Sequence, residues 1–561
     1  FDPTNGGPPR ADLGRNKDFG RCGPHLATDR FIIGTDFSIY YLTNDFDVKK
    51  DMFNAPCVYD CFFTRQDCQI GGLAANGFYY QYGNVCACLP YVHGVAGLTS
   101  VPSPDDKTLA ARSGPDFVTA RMDASTASNL KSEIPNPQSA PWPTYRHDAF
   151  RSAVTMAGIT PAVTQQWCTP AGPHVSAPVI ADGKVFVAIP DNHTVLALDA
   201  SSGARLWSCY AGGRVDTPPT YHNGTVLFGA HDGWVYCADA RDGALKWKRR
   251  IAPGDDQICV RGQLESPWPV VGAVLVDNSV AYASAGRHGD ADGGVRFCAL
   301  DPANGDVLWR LRIEGFPPYR TDPHRNYIEA RDPFPIPYDE EAMKIAEPDL
   351  VAGMVRAFRN DLLISDDNTV YIGAMAVDKA QRAPVGAPVG EALYSGGPGL
   401  LYESTGESAW LNKPVRWLLA GKTSGPEWRS FRAKGISANL LAVGSEHAYG
   451  VLMDSRKIYL FRKERPKGPA GEEPLRNSVW SVPLSTNDIP AALVVAGDTV
   501  TVAVRNPDNA SGNLLFFSSE TGKQAGSCPL PGAPRFDGVA IADGRIYASL
   551  GDGRVTCLGT R

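Results

Sequence analysis

Two stretches hold the densest mixture of Arg, His and Tyr in the 561-residue chain. One is Trp142-Pro143-Thr144-Tyr145-Arg146-His147-Asp148, continuing to Arg151. The other runs from Phe316 through Tyr319, Arg320, His324, Arg325, Tyr327, Glu329 and Arg331 to Tyr338. Arg146, Arg320 and Arg325 could clamp a carboxylate or sulfate through paired N–H donors, which makes them candidate ligand-binding residues. Histidine as a residue type titrates near neutrality, so His147 and His324 could carry a proton, with Tyr145 and Tyr327 beside them as further candidate catalytic groups. Together these types could neutralise an acidic sugar and abstract a proton from it. The plainer reading is a pair of hydrated loops packed by their own aromatics. If the residues act as one site, Arg146, His147, Arg320, His324 and Arg325 converge at one mouth of the fold.

Six of the thirteen cysteines fall between residues 22 and 88: Cys22, Cys57, Cys61, Cys68, Cys86 and Cys88. An even cluster suggests disulfides and an oxidising compartment, periplasmic or extracellular. Zinc or copper(I) on thiolates is the alternative, but only Cys57-x3-Cys61 has a usual ligand spacing. The other seven stand singly in strand-like segments, where buried thiols are expected. The turn Arg287-His288-Gly289-Asp290-Ala291-Asp292 carries carboxylates that could hold calcium, with a solvated turn as the simpler account. A haem-attachment Cys-x-x-Cys-His, phosphate-binding glycine loops and the Gly-x-Ser-x-Gly nucleophile elbow are absent from the sequence.

The elements that must position these groups are set by a ladder of tryptophans. Trp167, Trp207 and Trp247 lie 40 residues apart, and Trp309 follows 62 later. Ala197-Leu198-Asp199 leads through Gly203 to Trp207, Cys237-Ala238-Asp239 through Gly243 to Trp247, and Ala299-Leu300-Asp301 through Gly305 to Trp309. An apolar strand ends at the Asp, whose side chain can accept turn amides. The Gly turns with positive φ, and the next strand carries Trp. Two more short strands precede each pattern, such as Val185-Phe186-Val187-Ala188, introduced by turns such as Asp182-Gly183. Three or four short strands every 40 to 50 residues specify a propeller blade. Cys237 takes the small buried position held by Ala197 and Ala299, so it is a packing residue and not a nucleophile.

The Ala-x-Asp-x-x-x-Gly-x-x-x-Trp pattern resembles the tryptophan-docking motif of pyrroloquinoline-quinone (PQQ)-like repeats, a family that includes quinoprotein alcohol dehydrogenases and the outer-membrane barrel-assembly lipoprotein. It is strong over 160–315 and degenerate afterwards, yet Ile541-Ala542-Asp543-Gly544 echoes Ile180-Ala181-Asp182-Gly183, so the repeat reaches the C-terminus. The quinone does not follow from the resemblance. Family members that bind it use adjacent cysteines, a Trp under the quinone and acidic calcium ligands, and this chain has no Cys-Cys pair.

The expectation is an all-β, closed β-propeller of about eight four-stranded antiparallel blades with long loop insertions. Residues 1–20 read as an extension, 21–101 as Cys-rich N-terminal blades and 102–160 as a Pro/Ser-rich surface connection. Residues 161–561 read as PQQ-like blades closing the ring with the N-terminal strands. Net charge −6 and a pI near 6.0 give no grip on nucleic acid, and no apolar run is long enough for a membrane span. The start at Phe1 is expected to follow removal of a leader or a longer N-terminal region. The leading functional expectation is an exported bacterial binding or assembly module for a protein or glycan partner, with no cofactor. A polysaccharide lyase or hydrolase using the His147 or His324 loop is the alternative, and a quinone-dependent dehydrogenase comes third.

Overall fold

A computed structural model describes residues 106–119, 140–313, 360–384, 438–464 and 478–560 apart from short gaps, together with short strands within 26–99 and at Leu350–Val351. It is built almost wholly of strands. Six sheets share one plan of four antiparallel strands in sequence order, spanning 179–210, 220–250, 275–313, 363–384, 438–484 and 489–530, here blades 1 to 6, and blade 7 takes three strands from 534–559 and its fourth from Thr164–Pro170. A four-stranded sheet within 26–60 and a three-stranded sheet within 72–99 add two further units, in keeping with a propeller of about eight blades.

Blade 1 shows why the motif works. Its strands are Val179–Ala181, Lys184–Ile189, Thr194–Asp199 and Arg205–Tyr210, paired antiparallel in turn. Ala197 faces Trp207 across the third and fourth strands, followed by a register shift, and Cys237 faces Trp247 and Ala299 faces Trp309 in the same way. Each indole then docks on the turn of the next blade. Trp167 Nε1 donates to Ala200 O at 3.0 Å, Trp207 to Ala240 O at 3.1 Å, and Trp247 to Pro302 O at 3.2 Å. The motif glycine is required there twice over. At Gly243, φ is +75°, and a Cβ would stand 2.6 Å from the Trp207 ring. Trp480 repeats the contact on Ser519 O beneath Gly522, so the degenerate later repeats keep the docking geometry without the full motif.

Hydrophobic clusters lie between successive blades: Phe186, Trp207, Val226 and Phe228 join blade 1 to blade 2, and Leu493, Val500 and Leu440 join blade 5 to blade 6. The last blade is completed from upstream of the first. Thr164–Pro170 pairs with Arg554–Gly559, running from Thr164↔Gly559 to Pro170↔Arg554. Pairing the two ends of the repeat array covers an edge that would otherwise be open.

The connection over 102–144 is not simply a surface loop. Asp106–Arg112 forms a helix whose Leu109 is buried against blades 2 and 3, and Asp106 pairs with Arg296 at 2.5 Å. Phe117–Thr119 adds a fifth strand to the outer edge of blade 2. The reason is local: a short amphipathic helix and a β-branched strand can both bury apolar groups on a neighbouring blade. Of the later seven cysteines, Cys209, Cys237, Cys298, Cys528 and Cys557 are buried as expected, Cys168 is half-buried and Cys259 is exposed. Of the N-terminal six, Cys57 begins the strand Cys57–Asp60, and the rest lie outside the described residues. Among the described residues no helix is long and apolar enough to cross a membrane.

Candidate functional site

A meander of four strands puts the loops between second and third strands on the same face as the blade-to-blade connections. On that face, the connection from blade 2 to blade 3 carries a hairpin of its own. Ile258–Val260 pairs with Gln263–Glu265 around Gly262, setting Cys259 opposite Leu264. Leu264 is 60% exposed, Ile258 39%, and Cys259 is exposed as well. Three apolar side chains thus stand in water on a two-stranded ribbon, an element that is marginally stable by itself.

Buried charge holds the ribbon. Glu265 at its base is 4% exposed and receives His231 Nδ1 at 2.5 Å and Arg287 Nη2 at 2.7 Å. His231, from the loop after the second strand of blade 2, meets Asp216 through Nε2 at 3.0 Å. Arg214 bridges Asp216 at 3.0 Å and Asp191 at 2.7 Å, and His174 closes the chain on Asp191. On the other flank, His193 Nε2 lies 3.3 Å from Gln263 Oε1. The hairpin is therefore braced against blades 1, 2 and 3 at once.

Burial pulls the His231 pKa down, but the facing carboxylates of Asp216 and Glu265 outweigh it and hold it up at about 9. Burial pushes Asp216 the other way, yet His231 and Arg214 bring it down to about 2. Across neutral pH the imidazolium is clamped between two carboxylates. The consequence for stability has a definite sign. His231 is raised above its ordinary 6.5, so its contribution is fully present below about 6.5 and lost as pH rises through about 9. Asp216 is depressed below 3.8, so its contribution is present above about 3.8 and lost as pH falls through about 2. The urea midpoint is expected to drop between pH 7 and 10 in the native chain and to stay nearly flat over that limb in His231→Gln. Equal slopes for the two proteins would show that His231 is not the titrating group.

The first aromatic stretch lies elsewhere, among the first strands of the blades. Arg146 is 4% exposed, with Nη1 2.7 Å from Asp537 Oδ1 and Nη2 donating to Leu441 O. Tyr145 donates its hydroxyl to Asp537 Oδ2 at 3.0 Å. His147 packs edge-on to Trp142 at 5.0 Å and is partly exposed. Arg320, His324, Arg325 and Tyr327 fall outside the described residues, as does any meeting of the two stretches. Of the turn 287–292, Arg287 joins Glu265, and the main-chain oxygen of Asp292 accepts from Trp268 Nε1 and Arg296. Sequence reasoning missed the hairpin and its network. One signal was present: the step from Trp247 to Trp309 is 62 residues where its neighbours take 40, which marks an insertion between blades 2 and 3.

A sequence profile of the family described as "Outer membrane protein assembly factor BamB" matches residues 157–334. The BamB of Yersinia pestis is 27% identical over 167 residues, covering 28% of this chain and 38% of that protein. Solved structures aligned to the chain include BamB from Moraxella catarrhalis, at 13% identity and TM-score 0.37 over 71% of this chain and 98% of the other. Quinohemoprotein alcohol dehydrogenase from Comamonas testosteroni aligns at 14% identity and TM-score 0.42 over 75% and 81%. With the docked indoles of Trp167, Trp207 and Trp247, the match over 157–334 makes that part of the chain similar to the PQQ-like, tryptophan-docking repeat propellers.

Proposed function

We infer that this chain is a protein-binding or assembly module whose docking surface is the hairpin 258–265. The observation that carries the reading is exposed apolar surface on a ribbon fixed by buried ion pairs. Ile258, Cys259 and Leu264 gain nothing from facing water, whereas Glu265, His231 and Arg287 hold them in one geometry. Cys259 and Leu264 pair on one face of the ribbon and Ile258 stands on the other, and preorganised apolar side chains within a polar surround are the usual core of a protein interface. Both ribbon edges are open among the described strands, so an extended segment of a partner could add to either. A protein partner fits this surface better than a glycan, which would call for exposed hydrogen-bonding groups. The likeness to an outer membrane protein assembly factor supports the same class and, with the cysteine cluster, a periplasmic setting. The polysaccharide-degrading reading draws on the His147 or His324 loop; in the first, Tyr145 and Arg146 are bonded to Asp537, and the second lies outside the described residues.

Site-specific photo-crosslinkers at Ile258 and Leu264, with Asn223 on the opposite face as control, test the surface in the native host. A discrete protein adduct is expected from the two hairpin positions and not from Asn223. Ile258→Ser with Leu264→Asp should weaken that partner by roughly 30-fold, on the order of 2 kcal/mol, while leaving the unfolding midpoint unchanged. Equal labelling from Asn223, or full binding by the double variant, would remove the hairpin from the interface.

A further inference from the structure

The stretch 142–155 makes an unusual set of contacts. Trp142 exchanges both backbone hydrogen bonds with Ile180 in the first strand of blade 1. Pro143 O accepts from Tyr221 N at 2.7 Å, and Thr144 Oγ1 meets Thr220 Oγ1 at 2.8 Å, both in the first strand of blade 2. Tyr145 packs on Ala273 at the entry to blade 3. Ala149 O accepts from Ser365 N and Arg151 Nε donates to Leu363 O, in blade 4. Arg146 reaches Leu441 O in blade 5, Val154 and Thr155 pair in parallel with Val495 and Ala496 of blade 6, and Tyr145 and Arg146 share Asp537 of blade 7. First strands adjoin from blade 1 to blade 4, from blade 5 to blade 7 and between blades 7 and 1, so these contacts lie along the axis.

The backbone is held in a form it would not adopt alone. Arg146, His147, Arg151 and Ala153 have φ of 56°, 80°, 60° and 55°, four left-handed residues without a glycine among them. Two internal bonds pin the turn: Ala153 N to Arg146 O at 3.0 Å and Arg146 Nε to Arg151 O at 3.1 Å. Arg151 is 1% exposed, and its Nη1 donates to Thr144 Oγ1 and Tyr145 O. A strained segment persists only where its surroundings over-determine it.

We propose that residues 142–155 are an axial clasp that makes the seven blades open and close as one cooperative unit. Blades in a repeat array touch only their neighbours, so without such a piece each can open with little effect beyond the next. The clasp touches all seven, and loosening it at one blade weakens its hold on the rest.

Native-state hydrogen exchange on the full chain reads this directly. In Arg146→Gln, the strands Ala438–Val443 and Pro534–Ala542 lose the guanidinium that donates to Leu441 O and Asp537, and their amides should exchange faster. The clasp requires that Val179–Ala181 and Leu363–Ser365, which Arg146 does not touch, exchange faster too, by at least tenfold and with one common rate. Acceleration confined to Ala438–Val443 and Pro534–Ala542 would overturn it. Should that variant fail to fold, Ala153→Gly decides, because it relieves one left-handed residue and removes only the Ala153 methyl from the cluster with Leu440 and Val495. Slower exchange in the first strands of several blades together supports the clasp, and a change limited to 153–155 and Val495 refutes it.

Discussion

Replacing Glu265 by alanine is expected to be among the most damaging single changes on the loop face, at about 3–5 kcal/mol. The carboxylate is 4% exposed and receives two cations, His231 at 2.5 Å and Arg287 at 2.7 Å. Attraction between buried charges is largely consumed by their desolvation, so the intact set contributes little net stability. Removing one member is different, because the desolvation of the others is left uncompensated. His231 would keep only Asp216, and its pKa should fall back from about 9 as one of its two carboxylates goes. The hairpin loses its anchor in the same step, so partner binding at Ile258 and Leu264 should vanish along with the stability. Glu265→Gln retains an acceptor for one donor and should cost less than half as much. Urea unfolding and the NMR titration of His231 report the two effects separately. A Glu265→Ala protein within 0.5 kcal/mol of the native chain (roughly the spread of ordinary surface changes) would mean that the network holds nothing in place.

The difference between what was and was not legible in the sequence follows from how far each interaction reaches. Asp199, Gly203 and Trp207 act within one turn and the strand beside it, so their spacing alone announces a blade. Trp480 docks in the same way, but its acceptor turn reads Ser518 to Gly522 without Asp, and the motif becomes visible only in coordinates. The stretch 142–155 has the polar look of a surface loop. Its burial depends on Asp537, 391 residues from Arg146, and on the carbonyl of Leu441, and no local pattern encodes such partners. The hairpin network is similar in kind. His231, Asp216 and Glu265 are single residues in three separate loops, each unremarkable until the meander stacks those loops on one face.

The second large effect is expected in the motif itself, at Trp247→Ala. The indole is 2% exposed, bonds Pro302 O of blade 3 and lies against Gly305, where a Cβ would come within 2.7 Å of the ring. It belongs to the cluster with Leu227, Val235, Ile251, Val274, Ala281 and Leu300 that joins blades 2 and 3, against which the helix residue Leu109 also packs. Truncation removes the transfer energy of a large aromatic and leaves a cavity that rigid strands on both sides cannot close, for about 3–5 kcal/mol. Trp309 provides the contrast, because it is only partly buried against Tyr282 and Phe297 and should cost less on truncation. Damage should spread to the hairpin as well, since the hairpin lies in the connection between the two blades that Trp247 joins. Trp247→Phe recovers part of the packing without the hydrogen bond to Pro302 and should fall between alanine and the native residue. Chemical denaturation of the three variants gives the order directly: Trp247→Ala lowest, then Trp247→Phe, with Trp309→Ala nearest the native chain. If Trp309→Ala proved the most damaging, the indole would not be acting through burial between blades, and the docking account of the repeat would fail at its clearest example.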